Sequence, residues 1–340
     1  RDSGAMFIRN RWNQDFGEHL AFADLCGAQT AWTGDRREFL GPFGRLSSPR
    51  ALAPGETLSN RTGGGLDPCA VLQQKLTVQA GRPAEVTVLF GAAPDADQAR
   101  VLIERYRAAG VDKLLAEVKS HWAANLGAIQ VKTPDPAMDL MLNGWLLYQT
   151  LACRMWARTG FYQASGAYGF RDQLQDSMAL VNTRPEITRQ HILRAAGRQF
   201  VEGDVQHWWL PASGMGVRTR ISDDTVWLSY CVLHYIKTTG DKTILDEQVQ
   251  FLEGHALQPG EHDSFYQPSV SEKTASLYDH CVLGLERNLA KGAHSLPLFG
   301  TGDWNDGMNR VGEEGKGESV WLGWFLFATL KGFEPIAAAR

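Results

Sequence analysis

Ser271-Glu272-Lys273-Thr274-Ala275-Ser276-Leu277-Tyr278-Asp279-His280-Cys281-Val282-Leu283-Gly284-Leu285-Glu286-Arg287-Asn288-Leu289-Ala290-Lys291 sets the architecture. Leu277, Cys281, Leu285 and Leu289 recur every fourth residue, so residues 271–291 read as a helix with one buried stripe. Residues 292–317 lose that period. They hold Thr301-Gly302-Asp303-Trp304-Asn305-Asp306-Gly307-Met308-Asn309, a glycine-bounded stretch poor in helix formers that reads as a tight loop. Helix followed by long loop recurs from Pro134 onward. Apolar spacing predicts helices at 136–158, 172–182, 186–202, 222–239, 241–252, 271–291 and 318–332. Ser222-Asp223-Asp224 and Pro185-Glu186 are helix starts, and Gly240-Asp241 is a stop followed by a start. The connections 159–171, 203–221, 254–270 and 292–317 are long and rich in aromatics, glycines and charges, which suits function better than disorder. Antiparallel helices joined by alternating long and short loops suit an α/α toroid, with the long loops gathered around a pocket at one end.

Upstream the pattern changes. Residues 1–92 alternate or run apolar, as in Lys75–Val78 and Glu85–Phe90, with punctuation at Gly41-Pro42, Pro54-Gly55 and Thr62–Gly65. An antiparallel β-sandwich fits. Residues 97–109 and 111–126 space Val101, Ile103 and Tyr106, then Leu114, Leu115, Val118 and Trp122, at helical intervals. The organisation expected is a β-sandwich domain over 1–92, a helical linker over 93–133 and a mainly α domain over 134–340.

Composition narrows the function. The 340 residues are 44% hydrophobic and 21% charged, with a formal net charge of -4, ordinary for a globular protein and unsuited to nucleic acid or an anionic membrane. The 11 tryptophans are unusually many; structural cores alone can explain them, and sugar-binding clefts also use tryptophan heavily. Cys26, Cys69, Cys153, Cys231 and Cys281 are odd in number and lack CxxC spacing, which predicts free thiols and a reducing, cytoplasmic setting. No apolar run is long enough to span a bilayer and no signal peptide is visible. The chain starts at Arg1 in mid-pattern, as a piece of a longer protein would.

Four constellations carry chemistry. In 301–309, Asp303 and Asp306 supply a proton donor and hydroxyl ligands, and Trp304 a ring face for a pyranose; the alternative is a turn that caps a helix. In 168–176, Arg171-Asp172 before a helix can hold sugar hydroxyls beside Tyr168 and Phe170; otherwise Asp172 is a cap. Gln206-His207-Trp208-Trp209 with Arg218 and Arg220 suggests a substrate wall or a tryptophan-rich corner. Glu261-His262-Asp263 lacks helical ligand spacing and HExxH, so no metal site is expected. Glu313, Glu314 and Glu318 are candidate second carboxylates. Walker A, strand-borne GxGxxG and GxSxG patterns are missing.

Residues 162–176, Tyr162-Gln163-Ala164-Ser165-Gly166-Ala167-Tyr168-Gly169-Phe170-Arg171-Asp172-Gln173-Leu174-Gln175-Asp176, resemble the signature of the cellobiose/chitobiose phosphorylase family, glycoside hydrolase family 94. Gly302–Asn309, Gln206–Trp209, Arg218–Asp224 and Gly317–Trp321 extend the resemblance, which is densest from 134 to 332. Within the family the phosphorylase-like region of cyclic β-1,2-glucan synthases is the nearest match, together with the β-1,2-oligoglucan phosphorylases.

The resemblance implies a β-sandwich, a helical linker and an (α/α)6 barrel. It implies phosphorolysis of a β-glucoside with inversion, with inorganic phosphate as co-substrate and no cofactor. Asp306 would be the general acid. Arg171, Asp172 and Trp304 would line the subsite of the departing glucose, with Asp303, Gln163, Tyr168, His207, Trp208, Arg218, Arg220 and Glu318 as further substrate contacts. Phosphate arrives anionic and needs no general base, whereas an inverting hydrolase needs a second carboxylate. A low-dielectric site beside Trp304 and Asp303 would raise the acid's pKa in the needed direction. The partners implied are a β-glucan oligosaccharide, phosphate, a second copy in a homodimer and a larger synthase attached to the inner membrane. The seven helices counted fall short of a closed barrel, so the family's later phosphate-binding His and Thr/Gly loop are expected beyond Arg340. The competing readings are an inverting (α/α)6 hydrolase, with Glu313, Glu314 or Glu318 as base, and a non-catalytic glucan-binding module.

Overall fold

A computed structural model describes residues 3–13, 16–157 and 166–340. The chain divides into two compact units, Arg1–His121 and Trp122–Arg340.

In the first unit β1 (Met6–Ile8), β2 (Leu20–Asp24) and the later strand β5 (Leu89–Ala93) form an antiparallel sheet in the order β1-β2-β5. A second ladder pairs β3 (Ala31–Asp35) with a strand beyond α1 (Arg36–Leu40), namely β4 (Pro68–Gln73). Strands β2 and β3 alternate buried and partly exposed residues, as sheets covered on one face do. Helix α2 (Ala96–Ala109) is capped by the Asp95 side chain and seals the first sheet, with Ala99 and Ile103 fully buried beside Leu20, Phe22 and Ala93. The Arg107 guanidinium grips the buried Asp24 carboxylate at 2.6 and 2.8 Å and holds it below the usual carboxylate range despite burial. Lys75–Val78 and 85–88 carry no strand, contrary to expectation. Alternation stabilises a strand only against a hydrogen-bonded neighbour, and these segments have none among the described residues. Helix α3 (Val111–Leu126) follows.

The second unit is mainly helical. Helix α4 (Pro136–Leu140) continues through wide π turns around α5 (Leu146–Gln149) as far as Trp156. After β6 (Tyr168–Gly169) come α6 (Phe170–Met178) and α7 (Pro185–Ala196), the latter with proline in its first turn. A hairpin of β7 (Gln206–Trp209) and β8 (Gly216–Thr219) precedes α8 (Asp224–Thr239), which ends at Gly240. Next are β9 (Gln248–Glu253), β10 (Asp263–Tyr266), β11 (Ser269–Ser276), α9 (Leu277–Glu286) and α10 (Val320–Ala338). The main core joins α6 to α10 and includes Phe170, Leu174, Ile192, Trp209, Val232, Leu277, Cys281 and Leu322, all at most 2% exposed.

Two predicted helices need correction. Residues 241–252 form a single 3-10 turn followed by strand β9, because Gln248-Val249-Gln250-Phe251 alternates with the period of a strand. The first part of 271–291 is strand β11, paired antiparallel with β9. Ser276 ends it and caps α9, accepting from the Asp279 amide. Leu277, Cys281 and Leu285 are buried as expected, but Leu289 lies past the helix end and is 51% exposed. The long connections also hold structure: β6, β7, β8 and β10 make an antiparallel sheet in the order β10-β8-β7-β6. No helix among the described residues is long and apolar enough to cross a membrane.

Candidate active site

Three chain segments meet at one guanidinium. Arg171 in the first turn of α6 has a side chain only 7% exposed. Its Nη1 donates to Asp223 Oδ1 at 2.8 Å and to the Asp303 carbonyl at 2.7 Å, and its Nη2 donates to Asp306 Oδ1 at 2.5 Å. The fixed planar fork of arginine makes such multiple bonding possible. Burial disfavours the charge, but Asp224, Asp223 and Asp306 outweigh it and raise the guanidinium's pKa.

Asp223 and Asp224 open α8 and are buried. Asp223 Oδ2 accepts from Trp227 Nε1 at 2.9 Å. Burial, with the Asp224 charge beside it, pushes Asp223 well above the ordinary carboxylate range against the pull of Arg171. Asp224 Oδ2 meets His207 Nδ1 at 2.8 Å. Burial works against protonated His207, but Asp224 prevails and lifts its pKa. Arg171 and Asp306 also lie within electrostatic reach of this imidazole.

The loop bearing Asp306 is stitched to the segment before α8. Thr301 N donates to the Arg220 carbonyl at 3.1 Å, and Ser222 N donates to the Gly302 carbonyl at 2.9 Å. Ser222 Oγ adds a bond to the Phe299 carbonyl at 2.9 Å. A Cβ on Gly300, whose φ is +67°, would stand 2.0 Å from the Arg220 carbonyl oxygen, so only glycine permits this approach. Asp303 turns inward: its Oδ1 accepts from Asn305 N at 2.9 Å and its Oδ2 from Ser319 Oγ at 2.7 Å. Ser319 Oγ also accepts from Leu322 N at 2.9 Å, so one hydroxyl caps α10 and anchors the loop. The loop then offers Trp304, 55% exposed, and Asp306, whose side chain is 57% exposed.

The low-dielectric surroundings expected of Asp306 are therefore not what the fold builds: its carboxylate is solvated and ion-paired. Several other expected substrate contacts are committed elsewhere. Asp303 spends both carboxylate oxygens on the loop. Tyr168 is buried and donates its hydroxyl to the Met155 carbonyl at 2.7 Å. Arg218 is buried, grips Asp204 at 2.6 and 2.7 Å, and reaches Glu202 and the His255 carbonyl, both at 2.9 Å. Arg220 fastens the 257–261 loop through the carbonyls of Leu257, Gln258 and Glu261. Glu318 Oε1 accepts from the amides of His294 and Leu296, and its Oε2 meets His294 Nδ1 at 2.6 Å. Gln163 lies outside the described residues. Asp172 is half-buried with its carboxylate folded against Gly169. Trp208 is half-buried and leans on Phe265.

Sequence reasoning overlooked Ser319 and Trp227, whereas Asn305 caps the turn after it, as the capping alternative for this loop expected. The signal for Ser319 was present, a serine directly before the apolar run Val320-Trp321-Leu322. Together the groups offer a solvent-facing carboxyl beside a fixed cation, an exposed indole and, within reach, an imidazole whose pKa is raised by Asp224.

Comparison with known proteins bears on what this arrangement serves. The catalytic domain of the glycosyl hydrolase 94 superfamily matches residues 121–340, and the supersandwich domain of glycosyl hydrolase 94 matches residues 1–109. Cyclic beta-(1,2)-glucan synthase NdvB of Rhizobium meliloti (strain 1021) is 49% identical over 332 residues, which is 97% of this chain and 12% of that protein. Solabiose phosphorylase of Paenibacillus borealis is 31% identical over 91% of this chain and 37% of its own length. The 1,2-beta-oligoglucan phosphorylase of Listeria innocua serovar 6a is 24% identical over 53% of this chain and 16% of its own length. The chain thus spans well under half of each relative. With both domain descriptions matched in order along it, the chain belongs to the glycosyl hydrolase 94 superfamily.

Proposed function

We propose that this chain forms part of an inverting phosphorylase acting on β-glucosidic linkages, namely those of β-1,2-glucan. The observation that carries the reading is the Asp306 carboxyl held against Arg171 on a fixed loop beside exposed Trp304. A pyranose stacked on Trp304 brings its glycosidic oxygen to Asp306, which donates the proton as the bond to the leaving chain breaks. Phosphate attacks the anomeric carbon from the opposite face, giving α-glucose 1-phosphate and a shortened chain. Asp306 must be protonated to act, so its pair with Arg171 has to open. A sugar hydroxyl or phosphate oxygen that accepts from the guanidinium is the group that opens it. Asp172 and His207 complete the polar surroundings, and Asp303 positions the loop.

The names of the relatives support this class of substrate and reaction. The reading extends to the helical unit as the first part of an (α/α)6 barrel, within a division of 1–92, 93–133 and 134–340. It extends to a homodimer in the cytoplasm and to chain-length control within a larger membrane-attached synthase; five free thiols suit a reducing compartment. The hydrolase alternative is weakened at Glu318, both of whose oxygens are bonded.

The test incubates the intact protein with β-1,2-glucan, with and without phosphate, following sugar phosphate by phosphorus NMR. Phosphate-dependent glucose 1-phosphate is expected, and Asp306→Asn should lower its rate by about 10²-fold or more while leaving glucan binding in place. Glucose released without phosphate, or near-normal turnover by the variant, would refute the proposal.

A further inference from the structure

The antiparallel sheet beside the site carries an aromatic pair that the proposed chemistry leaves unused. Register sets Trp208 opposite Val217 and Val217 opposite Phe265, so the three side chains share one face. The Trp208 and Phe265 rings lie 5.4 Å apart, tilted by 34°, and Phe265 is 51% exposed. Two residues along, the same face carries Thr219 opposite Asp263. Those two residues line a cavity of about 350 Å³ whose other walls include His262, Asn309, Arg310 and Glu313. Asn309 and Arg310 belong to the same short 3-10 segment as Asp306, which runs from Asp306 to Gly312. A second cavity of about 530 Å³ shares Thr219, Ile221, His262, Thr301 and Glu313, so the trough continues past the loop.

The trough is rigid as well as polar. A Cβ on Gly312 would meet the Gly300 carbonyl oxygen at 1.8 Å, which means backbone packs directly on backbone along its wall. The side chains of His262, Arg310 and Glu313 make no hydrogen bond or ion pair among the described residues, which leaves donors and acceptors available to a ligand. Asp263 and Glu313 disfavour an anion, and Arg310 disfavours a cation. A neutral chain with apolar ring faces and many hydroxyls satisfies both the aromatic pair and the polar strip.

We propose that the Trp208–Phe265 face and the adjoining trough hold the departing portion of a glucan chain, the sugars beyond the bond that Asp306 protonates. The inference rests on the reading of the site as a β-glucan phosphorylase and names where its longer substrates bind. The surface begins one turn from Asp306, on the loop that delivers the proton to that portion of the chain.

Isothermal titration calorimetry without phosphate, so that no turnover occurs, tests it on the intact protein. The β-1,2-linked disaccharide and hexasaccharide are compared for the wild type, Trp208→Ala, Phe265→Ser and Arg310→Gln. The hexasaccharide should bind the wild type about tenfold tighter or more, the scale of one aromatic anchor. Each substitution should pull the hexasaccharide-to-disaccharide ratio toward one. Thermal melts identify any variant that has lost its fold, and Phe265→Ser, on the surface, should melt like the wild type. Equal affinity for both sugars in the wild type, or a length-dependent gain that survives in folded Phe265→Ser and Arg310→Gln, overturns the inference and leaves the Asp306 chemistry standing. Failure of the wild type to bind either sugar overturns the glucan reading and the inference with it.

Discussion

Removing one hydroxyl should loosen the loop that presents the acid. Ser319 Oγ is buried, caps α10 through the Leu322 amide, and donates to Asp303 Oδ2. Ser319→Ala removes both bonds. Loss of a helix cap costs about 1 kcal/mol. Loss of a hydrogen bond to a buried carboxylate costs about 2 kcal/mol. The sum is about 3 kcal/mol, since the two bonds serve different groups. For a unit the size of residues 122–340 that corresponds to a fall of roughly 6–12 °C in its melting temperature. The assay is thermal unfolding followed by near-ultraviolet circular dichroism, with glucose 1-phosphate formation measured below the transition. Turnover should fall as well, because Asp303 also positions the carbonyl that Arg171 holds. Ser319→Thr, which keeps the hydroxyl, should stay near the wild type. In an Asp303→Ala background the same Ser319→Ala change should cost nearer the cap alone, about 1 kcal/mol. A loss below about 1 kcal/mol in the wild-type background would show that the Ser319–Asp303 bond does not hold the loop.

Gly300→Ala should destabilise the second unit by more than about 2 kcal/mol, through positive φ and a clash with a backbone oxygen that cannot swing away. Urea unfolding checks it, and a near-neutral result would mean that the 220–222 and 299–302 segments are not in contact. His207→Gln tests the charge of the imidazole. A group whose pKa is raised by folding stabilises fully below its unfolded value, about pH 6.5, and loses that contribution as pH rises through the folded value. The variant should therefore fall furthest behind the wild type in urea melts on the acidic side of neutrality and approach it in alkali. A deficit independent of pH would mean that the pair with Asp224 holds no extra proton.

The sequence made helices α7 and α8 legible because their signals are local: a proline in the first turn and a terminal glycine. Strand β11 was not legible, because its residues are polar enough to pass for a helix surface and its identity depends on pairing with β9. The site divided along the same line. Asp306 and Trp304 lie close in sequence between glycines, and the structure presents both to solvent. Arg218, Arg220 and Glu318 looked alike as free charged groups, yet each is committed to carbonyls, amides or carboxylates on distant segments. Residue type shows what a side chain can bond, whereas only the fold decides whether those bonds are already made. Ser319 was overlooked for the opposite reason, as an ordinary cap whose second bond reaches back 16 residues.

Arg171 joins α6, the start of α8 and two points on the Asp306 loop through a single planar group. This fixes where the polypeptide can change length. An inserted residue between 220 and 224, or between 299 and 306, shifts one bond of the fork and disturbs the others with it. The hairpin tip at 211–214 lies outside that linkage, so lengthening it leaves the fork intact. Substrate preference in relatives of this chain is therefore expected to diverge through loops of changing length around a centre whose spacing stays constant.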